Sequence, residues 1–222
     1  MHQTPAFVKG SFVVIASRPA MGKSALALDI AEHLAQQSDK NILIISLEMS
    51  KEQILFRLQK AYDSHSHKNI LVCDEPIMTV KTIRELCENT ENLGAVIIDY
   101  LQLIFSEEKL TKTQSRHEQL GDISRELKIM ARNLNIPVIC TSQLSKKCEL
   151  RSDKRPTISD LCDTRVNVMD QIIFLYRDRY YNPETSVEDM AECIVAKNRY
   201  GDIGTIKLRW DPERVAFSLW KE

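Results

Sequence analysis

Ser17-Arg18-Pro19-Ala20-Met21-Gly22-Lys23-Ser24 follows an apolar run and opens a helical one. A strand, a tight turn and a helix in that order, with Gly-Lys-Ser at the junction, are what phosphate binding needs. Backbone N–H groups and the positive helix end cradle the anion, the lysine meets the β- and γ-phosphates, and the serine hydroxyl reaches Mg²⁺. The eight residues are therefore candidates for holding ATP, with Ser17 replacing the usual first glycine. Three more polar residues close apolar runs. Asp99 ends Ala95–Asp99, where its carboxylate either completes the Mg²⁺ shell with Ser24 or caps a loop. Glu48 follows Ile42–Leu47, where it either deprotonates a water attacking the γ-phosphate or caps the helix beside Ser50. Gln143 follows Val138–Ser142 and can sense a γ-phosphate.

These groups must be delivered to one rim, and the pattern of the chain supplies the means. Phe12–Ala16, Ile42–Leu47, Ile70–Cys73, Ala95–Asp99 and Val138–Thr141 are apolar on successive residues, as strands covered on both faces must be. Helical stretches separate them over Lys23–Gln37, Lys51–Ala61, Val80–Glu91 and Ser115–Asn135. In the last, Leu120, Ile123, Leu127, Met130, Ala131 and Leu134 recur at steps of three and four. The expected fold is α/β, a mostly parallel doubly wound sheet with its ligand edge at the carboxyl ends of the strands. After Ile158 the runs Gln171–Tyr176, Ala191–Ala196, Thr205–Trp210 and Val215–Leu219 follow, the last three joined by short turns, and read as antiparallel strands extending the sheet. Lys197-Asn198-Arg199 borders one of those turns, at Gly201. The tract Lys146–Pro156 carries five basic and two acidic residues and reads as a solvated loop.

With 222 residues, 43% of them apolar and 27% charged, the chain can bury a substantial core, which excludes disorder. No apolar run reaches the roughly 18 to 20 residues of a membrane span, and the first residues lack a signal-peptide layout. Six scattered cysteines without a Cys-x-x-Cys pair read as reduced core fillers of a cytoplasmic protein. The net charge of -1 offers no general attraction to phosphate, so a nucleic-acid site would have to be a local basic patch.

Arg18–Ser24, Ser46-Leu47-Glu48-Met49-Ser50, Ile98-Asp99-Tyr100-Leu101-Gln102-Leu103, Ser124–Lys128, Ser142-Gln143-Leu144 and Ala196–Gly201 occur in this order. Together they resemble the C-terminal RecA-like motor domain of DnaB-type replicative helicases. The resemblance implies a RecA-like P-loop ATPase in which Glu48 is the catalytic glutamate. It makes Gln143 the sensor between the γ-phosphate and a DNA-facing loop. Lys197 and Arg199 become cationic fingers reaching a neighbouring subunit's nucleotide, where a charge supplied in trans ties hydrolysis to assembly. It implies single-stranded DNA as partner and a homo-oligomeric, hexameric ring. Arg151, Lys154, Arg155 and Arg165 are the candidates for touching DNA phosphates.

The chain also departs from that pattern. Residues 1–222 read as one motor domain, with the family's N-terminal domain and linker helix expected to be absent, and the stretch from Ser50 to Ile70 is short. In the second DNA-facing loop Cys162 stands where an arginine is expected, Arg165 replaces a glycine, and of an acidic pair only Asp170 remains. The resulting expectation is a Mg²⁺-dependent ATPase that couples hydrolysis to movement along single-stranded DNA in replication. One rival is a nucleotide-binding assembly or regulatory module that does not unwind DNA. A recombination-type or clock-type ATPase is disfavoured by Leu47-Glu48-Met49-Ser50.

Overall fold

The structure is a computed structural model and describes residues 7–62, 68–106, 115–161 and 165–221. Cys162, whose substitution bears on the second DNA-facing loop, lies outside the described residues, as do its two successors. Among the described residues nine strands form one sheet: β1 (Phe12–Ser17), β2 (Asn41–Ser46), β3 (Ile70–Cys73), β4 (Leu93–Asp99), β5 (Val138–Gln143), β6 (Gln171–Tyr176), β7 (Met190–Asn198), β8 (Gly204–Asp211) and β9 (Ala216–Leu219). Their order is β3-β2-β4-β5-β1-β6-β7-β8-β9. Pairing is parallel from β3 to β6 and antiparallel from β6 to β9, the expected architecture.

Both faces of the parallel part are buried, and the two-residue period of a strand splits its side chains between two cores. Phe12, Val14 and Ala16 of β1 join the core under α3 (Val80–Glu88) and α4 (Arg116–Leu134). Val13 and Ile15 join the other core, under α1 (Lys23–Gln37) and α2 (Lys51–Ala61). The continuous apolar runs follow from this double cover. Helix ends are set locally. Ser50, Thr79 and Ser115 each make a capping box with the residue three positions on. Several boundaries differ from expectation by a few residues, two of them with a visible local cause. α3 stops at Glu88, not Glu91, because Asn89 caps it and the left-handed Asn92 turns the chain into β4. Val215 belongs to the β8–β9 turn at φ 56 instead of the strand.

The antiparallel extension curls back over α1. Asp29 of α1 accepts the Phe217 N–H of β9 at 2.7 Å and also the Tyr62 hydroxyl beyond α2. Burial pushes its carboxyl up from 3.8 to about 6, against the lowering effect of those two hydrogen bonds. A group that holds its proton more tightly when folded gives stability below its unfolded value that is lost as pH rises through its folded value. Between about pH 4 and 6 this position therefore costs up to about 3 kcal/mol. Asp29→Asn keeps an acceptor for the Phe217 N–H and offers its NH₂ to the Tyr62 oxygen, which can accept, and it carries no charge to desolvate, so its stability relative to the parent should rise between pH 5 and pH 7.5. Urea unfolding at both values checks this; a pH-independent difference contradicts it.

Candidate nucleotide site

The carboxyl ends of β1, β2, β4 and β5 bring the expected groups onto one rim. β1 runs into the turn before α1, in which Ala20 and Gly22 both take positive φ, 63° and 97°. Consecutive left-handed and right-handed residues make a concave row of N–H donors, a nest for an anion. Gly22 is required twice over, since a Cβ there would lie 2.9 Å from the Phe217 ring, which with Trp210 backs the turn. The C-terminal hairpin is thus a wall of the phosphate turn, a contact that no local sequence signal announced.

Lys23 is buried, its Nζ 3.0 Å from Asp99 Oδ1, 3.2 Å from Thr141 Oγ1 and 4.6 Å from the Tyr100 ring centre. Thr141 also donates to Asp99 Oδ1. Burial opposes the charge on Asp99, but the Lys23 ammonium and hydrogen bonds from Ser24, Thr141 and Lys23 outweigh it, holding the carboxyl below its ordinary value. A reliably ionised carboxylate beside a serine hydroxyl is a hard-oxygen pair of the kind that holds Mg²⁺ together with phosphates and waters.

Glu48 sits in the tight turn between β2 and α2. Ser46 Oγ accepts the Met49 N–H at 3.0 Å, and the Leu47 N–H reaches the Asp99 carbonyl at 2.8 Å. The helix cap is Ser50 with Gln53, so capping does not account for Glu48, which projects exposed beside the nucleotide rim. Its charge, after burial and ahead of that of Asp99, raises the Tyr100 hydroxyl's pKa. Gln143 closes β5 opposite Ser17, and the Gln102 side chain clamps its backbone at 3.1 and 3.2 Å. Thr141, Tyr100 and Gln102 join this cluster, and reasoning from the sequence assigned none of them a role. The available signal for Thr141 was a hydroxyl ending the apolar run Val138–Cys140 of a buried strand.

The remaining residues of the turn divide. Arg18 is directed to protein, its Nε 2.8 Å from Glu149 and its Nη1 2.7 Å from the Leu144 carbonyl, contacts that anchor the turn. Met21 is 1% exposed and packs in the core; Pro19 and Ala20 are exposed, and the buried Ser17 bonds the Arg18 carbonyl.

The basic tract is not the solvated loop expected from its charge. Residues 146–150 form a 3₁₀ turn around the fully buried Cys148. Arg151 grips the buried Asp160 with two bonds of 2.8 and 2.7 Å. Arg155 grips Glu192 and covers the Tyr176 ring. Lys154 bonds the Glu149 carbonyl and lies over Tyr181, while Arg165, in a different part of the chain, pairs with Asp122 at 2.6 Å. These four expected DNA contacts are cations already partnered within the chain, the three arginines by acids that neutralise charges a linear reading counts as available and Lys154 by a carbonyl and a ring.

Lys197 and Arg199 lie elsewhere. The register sets Asn198 against Gln171 and Gln171 against Val13, at the amino ends of β6 and β1. Lys197 Nζ bonds the Val166 carbonyl at 2.9 Å, and burial, reinforced by Arg199, lowers its pKa. Arg199 Nη1 is 3.2 Å from Asp170. At about 3.3 Å per residue the six residues of β1 separate this end from the chain's own phosphate turn by about 17 Å.

Residues 2–64 and 55–219 match the family described as DnaB-like helicase C-terminal domain. The chain is 35% identical over 242 residues to the replicative DNA helicase DnaB of Geobacillus stearothermophilus and 36% identical to the replicative DNA helicase DnaC of Bacillus subtilis. Both alignments cover 96% of this chain but 53% of the relative, so the chain spans about half the length of the curated relatives it matches. A DnaB-like replicative helicase solved with its interactions with primase superposes at a TM-score of 0.86 with 33% identity, over 97% of this chain and 58% of that one. A KaiC-like protein of Pyrococcus horikoshii, 11% identical, superposes at 0.70 over 97% of this chain and 92% of that one, which is likeness of fold alone.

Proposed function

The chain belongs to the DnaB-like helicase C-terminal domain family, and from that premise we propose that it is a single ATP-hydrolysing motor domain. It acts in a homo-oligomeric ring, six subunits in our reading, and moves along single-stranded DNA in replication. The observation that carries this is the separation of the Lys23–Asp99 rim from Arg199. The two lie at opposite ends of the same strands, so a finger at Arg199 can serve a nucleotide only on another subunit.

In this reading the nest around Ala20 and Gly22 and the Lys23 ammonium bind the ATP phosphates, with Thr141 and Asp99 holding the lysine extended towards them. Ser24 and Asp99 would hold Mg²⁺, which when bound neutralises charge on the phosphates. Glu48 accepts the proton of the attacking water, and its exposed position leaves room for one. Gln143, fixed through its backbone by Gln102, reports the state of the γ-phosphate along β5. Among the described residues no helix is long and apolar enough to cross a membrane, and the five described cysteines are free thiols, which suits the cytoplasm we assign.

A motor and a non-unwinding module differ on a forked DNA substrate. Displacement of one strand with ATP, but not with a non-hydrolysable analogue, is the outcome expected here. Since Arg151, Arg155 and Arg165 already hold acids, each should add only part of a full phosphate contact. Single-strand affinity, read by fluorescence anisotropy, should fall with salt, and Lys154→Ala/Arg155→Ala/Arg165→Ala should flatten the slope by less than the roughly 0.7 per contact of a fully engaged cation. ATP hydrolysis with no strand displacement would favour the module.

A further inference from the structure

Asp170 is a carboxylate 1% exposed to solvent, and its partners converge from three parts of the chain. Its Oδ2 accepts the Phe12 N–H of β1 at 2.7 Å and the Lys128 ammonium of α4 at 2.6 Å. Its Oδ1 accepts Arg199 Nη1 at 3.2 Å, and its charge, after burial, raises the pKa of the nearby Tyr200 hydroxyl. The backbone repeats the connection, with the Arg199 N–H on the Asp170 carbonyl at 3.0 Å and the Asp170 N–H on the Phe12 carbonyl at 2.9 Å. Arg199 Nη2 bonds the Asn167 carbonyl, while the Arg199 side chain keeps 48% of its surface exposed.

A carboxylate removed from water is retained only where its partners compensate the desolvation. Here Lys128 and the Phe12 amide fix it rigidly to a helix and to the central strand. Arg199 itself sits where β7 gives way to the exposed β7–β8 turn, which has few contacts of its own to set a guanidinium. Resting on the reading of Arg199 as a finger acting in trans, we infer that Asp170 is the positioning residue for that finger. It holds Nη1 as the Asn167 carbonyl holds Nη2, while about half of the side chain stays exposed, so that docking of two subunits delivers the charge to the neighbour's γ-phosphate already oriented. Asp170 touches no nucleotide; it acts through Arg199.

A positioning role is directional between subunits, whereas a merely structural one is not. Glu48→Gln subunits supply fingers but no working site, and Arg199→Ala subunits supply a site but no finger, so their mixture should hydrolyse ATP where neither does alone. Asp170→Asn is then placed on one or the other. On the finger donor it should reduce the restored turnover on the order of 10²-fold, the effect of misplacing a reacting group by about 1 Å. On the Arg199→Ala subunit it should leave that turnover unchanged. Equal loss in both arms, or loss in neither, overturns the inference. Failure of the two parent variants to restore turnover overturns the trans reading itself and the inference with it, and is a separate observation. Asp170→Asn leaves Lys128 as an unpaired, largely buried cation; if the variant lacks a cooperative melt, Lys128→Met/Asp170→Asn removes that charge and both arms are read with it on the same criteria.

Discussion

Glu48→Gln is expected to retain ATP and to lose hydrolysis by roughly 10² to 10⁴-fold, the usual consequence of removing a general base. Lys23→Ala is expected to lose ATP binding itself. The two substitutions also act differently on the fold. Glu48 is exposed and its turn is held by Ser46 and by the Asp99 carbonyl, so its neutralisation leaves the scaffold intact. Lys23 is the buried counter-charge of Asp99, and deleting it strands a carboxylate whose low pKa depends on that ammonium. Breaking a buried pair from one side can cost several kcal/mol. A thermal melt of Lys23→Ala, run beside nucleotide binding by calorimetry, separates the lost contact from lost structure. Glu48→Gln hydrolysing ATP at the parent rate would remove Glu48 from the mechanism.

Arg199→Ala is expected to lower turnover by about 10³-fold or more, the range for a guanidinium that stabilises the transferring phosphoryl group, with nucleotide affinity nearly unchanged. The separation of Arg199 from its own phosphate turn adds a second expectation. Parent turnover per subunit should climb with protein concentration, because each site is complete only at a contact between subunits. Arg199→Ala should stay low and flat over the same range. The two curves are obtained from steady-state phosphate release across a dilution series. Parent turnover that is independent of concentration, together with a harmless Arg199→Ala, would contradict the trans assignment.

The phosphate turn was legible because its chemistry is local. Gly22, Lys23 and Ser24 are consecutive, and the apolar run before them and the helix after them are encoded in the same few residues. The doubly covered strands were legible for a similar reason, since burial on both faces removes alternation and leaves a continuous apolar run. Glu48 could be placed beside a helix start by its spacing but given a role only by resemblance to a family. Tertiary structure then showed that Ser50 and Gln53 already cap that helix.

What the linear chain could not show is pairing over long separations. Charge counting made Lys146–Pro156 a basic loop, yet Asp160 and Glu192 take up Arg151 and Arg155, and the second of these acids is 37 residues from its partner. The same holds for Thr141 against Asp99, for Phe217 against Gly22 and for Asp170 against Lys128 and Arg199. Residue types and local periodicity determine which segments become strands and helices, because those depend on neighbours within a few positions. Which charges are neutralised, and which end of the sheet each functional group occupies, depends on strand order and register, and only the closed sheet decides these.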